Sequence, residues 1–98
     1  MKFGGTCLGS EEARDRAAEC VRRRFLDGKR IVVVVSAMGR RGDAYATDTL
    51  KDLIGKYTQT TPREQDALLS CGEDLSAAVF AAQLEACGMP AVSLRGYQ

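Results

Sequence analysis

The stretch that decides the fold is IVVVV at residues 31–35, and SAMG follows it directly at residues 36–39. An unbroken run of β-branched residues predicts a strand covered on both faces, as in a parallel sheet flanked by helices. The polar, glycine-bearing segment from 36 to 46 predicts a loop at the carboxyl end of this strand, where open α/β sheets bind their ligands. We therefore expect functional residues in this loop.

A helix is predicted before the strand. Ser10 is its predicted N-cap, its first turn carries Glu11 and Glu12, and Gly28 is predicted to end it. The apolar residues in between recur near helical spacing, at Ala13, Ala17, Val21 and Leu26. This pattern indicates an amphipathic helix.

Two further helix starts follow the loop. Thr47 or Asp48 is predicted to cap a short helix that contains Leu50, Leu53 and Ile54. The sequence TPRE at residues 61–64 is typical of a capping box with proline at the first helical position. It predicts a second, well-marked helix.

The remainder of the chain is predicted to form two helices and a strand. Gly72 predicts a turn between two helices, which puts Glu73 at the mouth of the second helix, where the helix dipole stabilises a carboxylate. That helix is predicted to end at Gly88, and a short strand at Ala91–Leu94 follows.

The predicted order is turn, α, β, α, α, α, β, which favours an α/β fold with right-handed crossovers. We expect three αβα layers with a mainly parallel sheet, in a single domain spanning residues 1–98. Only three residues precede the turn at Gly4 and Gly5, so the first strand is expected to be very short. The chain is therefore predicted to be a portion of a larger domain.

Composition excludes several classes of function. Hydrophobic residues make up 45% and charged residues 28%, the balance of an ordinary globular protein. The net charge of +1 gives no reason to expect nucleic acid as a partner. With no signal peptide and no apolar run long enough to span a membrane, we expect a cytosolic protein that does not bind membranes.

The chain has no histidine, and its four cysteines are widely spaced without a C-x-x-C pair. This argues against a metal site and, in a cytosolic protein, against a disulfide scaffold. The usual general base of Ser-His or Cys-His catalysis is also missing. Any chemistry must rely on positioning and charge.

Three groups of residues are candidates for such chemistry. Lys2 and the turn from Gly4 to Thr6 combine a positive charge with backbone amides that can approach phosphate, although the spacing is not that of a Walker A loop and a plain turn is the alternative. Ser36 and Gly39 lie in the loop after the strand and are candidates for ligand binding. The alternative is that this segment is simply where the chain leaves the strand. For Glu73, the alternative is helix capping.

Taken together, four segments resemble successive motifs of the aspartokinases, in the amino acid kinase superfamily. They are KFGGT at 2–6, VVVVSAMG at 32–39, LLSCGE at 68–73 and AVSLRGYQ at 91–98, in the family's order and spacing. GRRGDAYATD at 39–48 and PREQD at 62–66 resemble the diaminopimelate-sensitive bacterial form most. The resemblance covers essentially the whole chain.

The resemblance implies an incomplete amino acid kinase-like fold and a reaction with ATP and Mg²⁺. The γ-phosphate would pass to the side-chain carboxylate of L-aspartate, as the opening step towards lysine, threonine and methionine. The implied roles are phosphoryl binding by Lys2, a phosphate turn formed by Gly4, Gly5 and Thr6, a nucleotide–substrate junction lined by Ser36 and Gly39, and aspartate binding by Thr47 and Glu73. No residue is implied as a metal ligand.

Two departures from the family limit these expectations. Met1 stands almost against the lysine motif, and the chain ends at Gln98, before the family's arginine and aspartate substrate motif, its adenine-binding region and its ACT domains. We therefore expect the chain alone to be inactive. One alternative is a non-catalytic module that self-associates or binds the missing part of the kinase, and another is a kinase for a different amino acid.

Overall fold

The computed structural model describes residues 1–39, 43–57 and 59–95, with every side chain among them except that of Thr6. Two short strands and three α-helices follow one another along the chain. They are β1 (Lys2–Phe3), a one-turn 3-10 helix (Gly5–Leu8), α1 (Glu11–Leu26), β2 (Val34–Val35), α2 (Thr47–Ile54) and α3 (Pro62–Ala86). The predicted α/β class with a parallel sheet is confirmed.

The two strands form a parallel pair in which Lys2 lies opposite Val34 and Phe3 lies opposite Val35. The amide of Val34 donates to the carbonyl oxygen of Met1 (2.7 Å), and the amide of Ser36 donates to that of Phe3 (3.1 Å). Because the strands run in the same direction, both end at the same edge of the sheet. The turn after β1 and the loop after β2 therefore begin side by side.

Helix α3 packs against one face of this sheet. The rings of Phe3 and Phe80 lie 5.7 Å apart at 60°, a tilted arrangement that aromatic pairs favour. Around this pair lies the core, whose buried members come from the 3-10 helix, α1, the loop after β2, α3 and the turn that follows it: Leu8, Ala17, Ala18, Val21, Met38, Phe80, Leu84 and Met89. The core therefore ties both long helices to the strands.

The predicted helix starts after Ser10 and Thr61 and the predicted helix ends before Gly28 and Gly88 are confirmed. The hydroxyl oxygen of Ser10 accepts from the amide of Ala13 (3.1 Å), and that of Thr61 accepts from the amide of Glu64 (3.4 Å). The carboxylate of Glu64 instead pairs with the neighbouring Arg63 (3.3 Å), so the described bonds show the threonine half of the predicted capping box. Both helices end just before a glycine with positive φ, 81° and 85°.

The predicted turn at Gly72 is wrong. Helix α3 runs without a break from Pro62 to Ala86, and Gly72 is buried in its middle. A side chain at this position would press on the carbonyl oxygen of Tyr45, so the glycine permits close packing and does not mark a turn. Glu73 therefore lies inside a helix, and its predicted stabilisation by a helix start is wrong as well.

The predicted strand at 31–35 is shorter and less covered than expected. Only Val34–Val35 form a strand, and Val32 and Val34 are 77% and 54% exposed. Val33 and Val35 pack on the core, so α3 covers one face of this segment, whereas the described residues provide no layer over the other. The prediction that both faces are covered is contradicted.

The predicted strand Ala91–Leu94 is also absent. Residues 91–95 belong to no strand, and the side chains of Val92 and Leu94 are 78% and 68% exposed. A strand is defined by its hydrogen-bonded partner, and no other described segment pairs with these residues. The local sequence pattern was therefore insufficient to predict a strand here.

Smaller differences concern the ends and faces of the helices. Ala46 is the N-cap of α2, without a side-chain cap, so the predicted capping by Thr47 or Asp48 is wrong. Leu26, which belongs to the apolar pattern predicted for α1, is 66% exposed, and Leu53 of α2 is 59% exposed. The buried residues are Ala13, Ala17, Ala18 and Val21 in α1 and Leu50 in α2.

Among the described residues, no helix combines the length and the apolar composition needed to cross a bilayer. All four cysteines have free, exposed thiols.

Ser76 offers a test of the packing of α3. Its hydroxyl oxygen is buried and has no hydrogen-bond partner among the described residues. Because an unpaired buried hydroxyl costs stability and alanine favours helices, we expect Ser76→Ala to raise the free energy of unfolding by about 1 kcal/mol. Urea unfolding of the purified chain measures this change.

Ser70→Ala is the matched control on the same helix. The Ser70 hydroxyl is exposed and donates to the carbonyl oxygen of Ala67 (2.9 Å). We expect its removal to change the free energy of unfolding by less than about 0.5 kcal/mol. A Ser76→Ala variant less stable than the parent would show that this hydroxyl has a partner after all.

Candidate active site

The carboxyl edge of the sheet is where the candidate residues converge. Lys2 is exposed in β1, directly opposite the exposed Val34. Since Phe3 faces α3 through Phe80, and successive strand residues point to opposite faces, Lys2 points to the face that α3 leaves uncovered. Its ammonium group is thus available to a ligand beside the edge of the sheet.

The glycine turn after β1 is held tightly in place. Gly4 leads into the 3-10 helix, and its carbonyl oxygen accepts from the amide of Cys7 (3.1 Å). A Cβ atom at Gly5 would overlap the carbonyl oxygen of Ala37, whereas a Cβ at Gly4 would meet no atom within 4 Å. The turn therefore packs directly on the loop after β2 and leaves open space at Gly4. The side chain of Thr6 lies outside the described residues.

The loop after β2 begins at the same edge, as predicted. Ser36 is half-buried there and donates its amide to Phe3. Gly39 has φ = 95°, and a Cβ atom on it would lie 2.7 Å from the ring of Tyr45 and 2.9 Å from the carboxylate of Asp43. The loop therefore turns back sharply at Gly39, which only glycine allows without strain. Arg40 to Gly42 lie outside the described residues.

The two residues that the resemblance implies as ligands of the substrate L-aspartate, Thr47 and Glu73, lie on two helices in contact. Thr47 is the half-buried first residue of α2, and Glu73 is exposed on α3. A Cβ atom at Gly72 would lie 3.1 Å from the Tyr45 carbonyl oxygen and 3.2 Å from the Leu50 side chain. Because Tyr45 and Leu50 flank Thr47 in sequence, the start of α2 lies against the turn of α3 that carries Glu73.

The carboxyl edge thus brings together three of the predicted segments. Ala37 links them, because its carbonyl oxygen lies against Gly5 and its Cβ would lie 3.4 Å from a Cβ at Gly72. Sequence reasoning did not single out Ala37. The only signal was the run of small residues at 36–39, which indicates close packing but not with which partner.

A groove of about 650 Å³ lies between residues 31–35, helices α1 and α3 and the segment 89–95. Its walls are mostly apolar and come from residues 31–35, α3 and the segment 89–95. Glu73 and Asp74 lie in its lining together with Arg95, whose guanidinium Nε is 3.4 Å from a carboxylate oxygen of Asp74. The predictions had missed this Asp74–Arg95 ion pair, since no local pattern links residues 21 positions apart.

A metal ion would find few ligands in this part of the chain. Within the described ranges, no three acidic or cysteine residues lie close enough to hold a metal ion. Mg²⁺ often binds proteins through one or two carboxylates together with substrate phosphates.

Comparison with known proteins gives consistent results. The model of the amino acid kinase family matches residues 1–97. Over its whole length, the chain is 47% identical to Aspartokinase 1 of Bacillus subtilis (strain 168) and 43% identical to an aspartokinase of Geobacillus stearothermophilus. It covers 24% and 23% of those proteins, so it spans about a quarter of the length of the curated relatives it matches.

A solved structure shows the same fold. The crystal structure of aspartate kinase from Synechocystis matches 99% of this chain with a TM-score of 0.86 and 41% sequence identity, and the match covers 16% of that chain. This agreement confirms the predicted fold, an incomplete amino acid kinase-like αβα arrangement. The family model, the sequence identities and the shared fold together show that the chain belongs to the amino acid kinase family.

Proposed function

We propose that this chain is the N-terminal part of an aspartokinase, which transfers the γ-phosphate of ATP to the side-chain carboxylate of L-aspartate. The observation that carries the proposal is the contact of the Gly4–Gly5 turn with the loop after β2, beside Lys2. The positive charge of Lys2, the glycine turn and the start of the loop after β2 therefore lie at one edge of the sheet. Its relatives are named aspartokinases, which favours the same reaction here.

The proposed phosphate site needs no general base. Phosphoryl transfer depends mainly on positioning and on stabilising the charge of the transferred group. Lys2 supplies a positive charge, Gly4 leaves room for phosphate oxygens, and Gly5 and Thr6 complete the turn. Ser36 and Gly39 are proposed to line the junction between nucleotide and substrate. Mg²⁺ would arrive with ATP and neutralise phosphate charge.

Thr47 and Glu73 are proposed to bind the amino acid. The Thr47 hydroxyl would hydrogen-bond aspartate, and the Glu73 carboxylate would pair with its ammonium group. The packing of α2 on α3 near these two residues supports this assignment. An ion pair to the ammonium group would favour amino acids over simple dicarboxylates. A substrate panel would separate aspartate from other amino acids as the acceptor.

The wider setting of the enzyme is part of the proposal. The loop at 39–48 favours the diaminopimelate-sensitive form and a role in lysine biosynthesis, and the composition favours a cytoplasmic enzyme without nucleic-acid or membrane partners. Residues 1–98 would form part of a single kinase domain. Turnover would need the remainder of the kinase. The proposed partners are that remainder or further copies of the chain.

Glu73 is the residue that tests substrate specificity. In a full-length aspartokinase that carries this chain as its N-terminal region, Glu73→Gln removes the charge that would pair with the ammonium group. We expect the aspartate KM to rise by about tenfold or more, since a charged hydrogen bond contributes about 1.5–3 kcal/mol, while the ATP KM stays within about twofold. Steady-state kinetics at saturating co-substrate measure both.

Two further variants sharpen this experiment. Glu85→Gln alters an exposed glutamate elsewhere on α3 and should leave both KM values unchanged. Lys2→Ala should instead reduce kcat by about 10²-fold, since it removes charge stabilisation in the transition state. An aspartate KM unaffected by Glu73→Gln would refute the proposed role of Glu73.

A second candidate function is self-association of a non-catalytic module. Its support is the uncovered apolar surface that comprises Val32, Val34, Val92 and Leu94, four side chains that are each more than half exposed. Exposed apolar surface and a strand edge without a partner among the described residues favour association with other chains. This function is compatible with a kinase origin.

Self-association is tested with a charge on the uncovered face. We expect the 98-residue chain to form dimers or larger species at high concentration, and Val34→Lys to shift it towards monomer by burying a charge at the contact. Analytical ultracentrifugation measures the mass. Leu53→Lys is the control, because Leu53 is equally exposed but lies on α2. A parent chain that stays monomeric would eliminate this candidate.

A further inference from the structure

Gly72 occupies an unusual place for a glycine. It is buried in the middle of the 25-residue helix α3, although glycine is among the poorest helix formers. A Cβ atom there would approach three neighbours: the Tyr45 carbonyl oxygen at 3.1 Å, the Leu50 side chain at 3.2 Å and the Ala37 Cβ at 3.4 Å. All three belong to the loop after β2 or to α2. The missing side chain therefore determines how closely that unit approaches α3.

Ala37 meets a second glycine on its other side. A Cβ atom at Gly5 would overlap the Ala37 carbonyl oxygen, and this neighbour is backbone, which cannot move aside as a flexible side chain can. Ala37 is therefore enclosed between Gly5, in the proposed phosphate turn, and Gly72, next to the proposed aspartate ligand Glu73. The three residues form a direct line of contacts between the two halves of the site.

We propose that Gly72 is a positioning residue for amino-acid binding: by admitting Ala37, Tyr45 and Leu50 close to α3, it sets the separation between Thr47 and Glu73. This inference rests on the proposed function, in which those two residues bind aspartate. Ala46 and Leu50 transmit the position to Thr47, because α2 begins with the bond from the Leu50 amide to the Ala46 carbonyl oxygen (3.0 Å) and Ala46 is buried. Gly72 touches no substrate itself.

The consequence of a side chain at position 72 follows from these distances. A contact at 3.1–3.2 Å requires the neighbour to move by a few tenths of an ångström. The neighbours are the segment that leads into Thr47 and the first turn of α2, whereas the phosphate turn meets Ala37 through Gly5, at the Ala37 carbonyl oxygen. A methyl group on Gly72 should therefore disturb aspartate binding more than ATP binding.

Gly72→Ala in the same full-length aspartokinase tests the proposal. We expect the aspartate KM to rise by about fivefold or more and the ATP KM to stay within about twofold, since small displacements of binding groups strongly weaken productive binding. Circular dichroism should show an intact helix, because alanine is the better helix former. Parent-like aspartate KM, or an equal rise of both KM values, overturns the proposal.

Gly55→Ala is the matched control. Gly55 has φ = −62°, and a Cβ atom on it would have neighbours only at 3.4 Å or beyond, the range of ordinary contact. We expect both KM values to match the parent. If Gly72→Ala does not fold, Ala37→Gly replaces it, since it removes a methyl group and adds no overlap. It should raise the aspartate KM by about threefold, through looser positioning of the same loop, and an unchanged value overturns the proposal.

The outcome separates this inference from the proposed function. If Glu73→Gln raises the aspartate KM but Gly72→Ala does not, Thr47 and Glu73 are positioned without Gly72 and only the inference fails. If neither variant affects aspartate, the assignment of the amino-acid site itself is wrong. If the aspartate KM rises in both variants, the contact between the loop and α3 is part of the specificity of the enzyme.

Discussion

The parallel pairing of β1 with β2 is the constraint on which the rest of the arrangement depends. Backbone hydrogen bonds from Val34 to Met1 and from Ser36 to Phe3 fix the register of the two strands. Because the strands are parallel, the glycine turn and the loop after β2 leave the sheet at one edge, where Gly5 packs on Ala37. A shift of one residue would turn Lys2 towards α3 and Phe3 away from Phe80, since neighbouring side chains alternate between faces.

Helix α3 turns this short sheet into a stable scaffold. Phe80 packs on Phe3 in the C-terminal half of the helix, and burial of an aromatic side chain of this size contributes about 1.5–3 kcal/mol. Gly72 lies on the same helix, one turn before Ser76, and lets α2 and the loop after β2 approach closely. One element therefore holds the sheet at Phe80 and the proposed substrate residues near Gly72. The uncovered side of residues 31–35 is the complementary feature, because it leaves Lys2 exposed opposite Val34.

The sequence predicted the features that depend on local interactions. Ser10 and Thr61 cap helices through bonds to amides three residues away, so the neighbouring residues suffice to identify them. The loop at the carboxyl end of the strand was predicted for the same reason, since Ser36 to Gly39 follow a marked β-branched run. The roles assigned to Lys2, Thr47 and Glu73 came from the resemblance to the aspartokinases and remain proposals.

Several features that depend on distant residues were predicted wrongly. The pattern around Gly72 is equally compatible with a turn and with a close contact, and only the position of Tyr45 decides between them. Coverage of both faces of the strand was inferred from composition, but Val32 and Val34 are covered only if another part of a protein lies over them. The segment 91–95 has strand composition without a strand partner among the described residues. In each case the missing information concerned a tertiary contact.

The most direct test of the account is a calorimetric titration of the purified, folded chain with Mg-ATP and, separately, with L-aspartate. The account predicts weak binding of both, with the Mg-ATP signal lost in Lys2→Ala and the aspartate signal lost in Glu73→Ala, because the carboxyl edge of the sheet already holds the turn, the loop and α3 together. A folded chain that binds neither ligand would contradict the claim that these residues form a preassembled part of the active site.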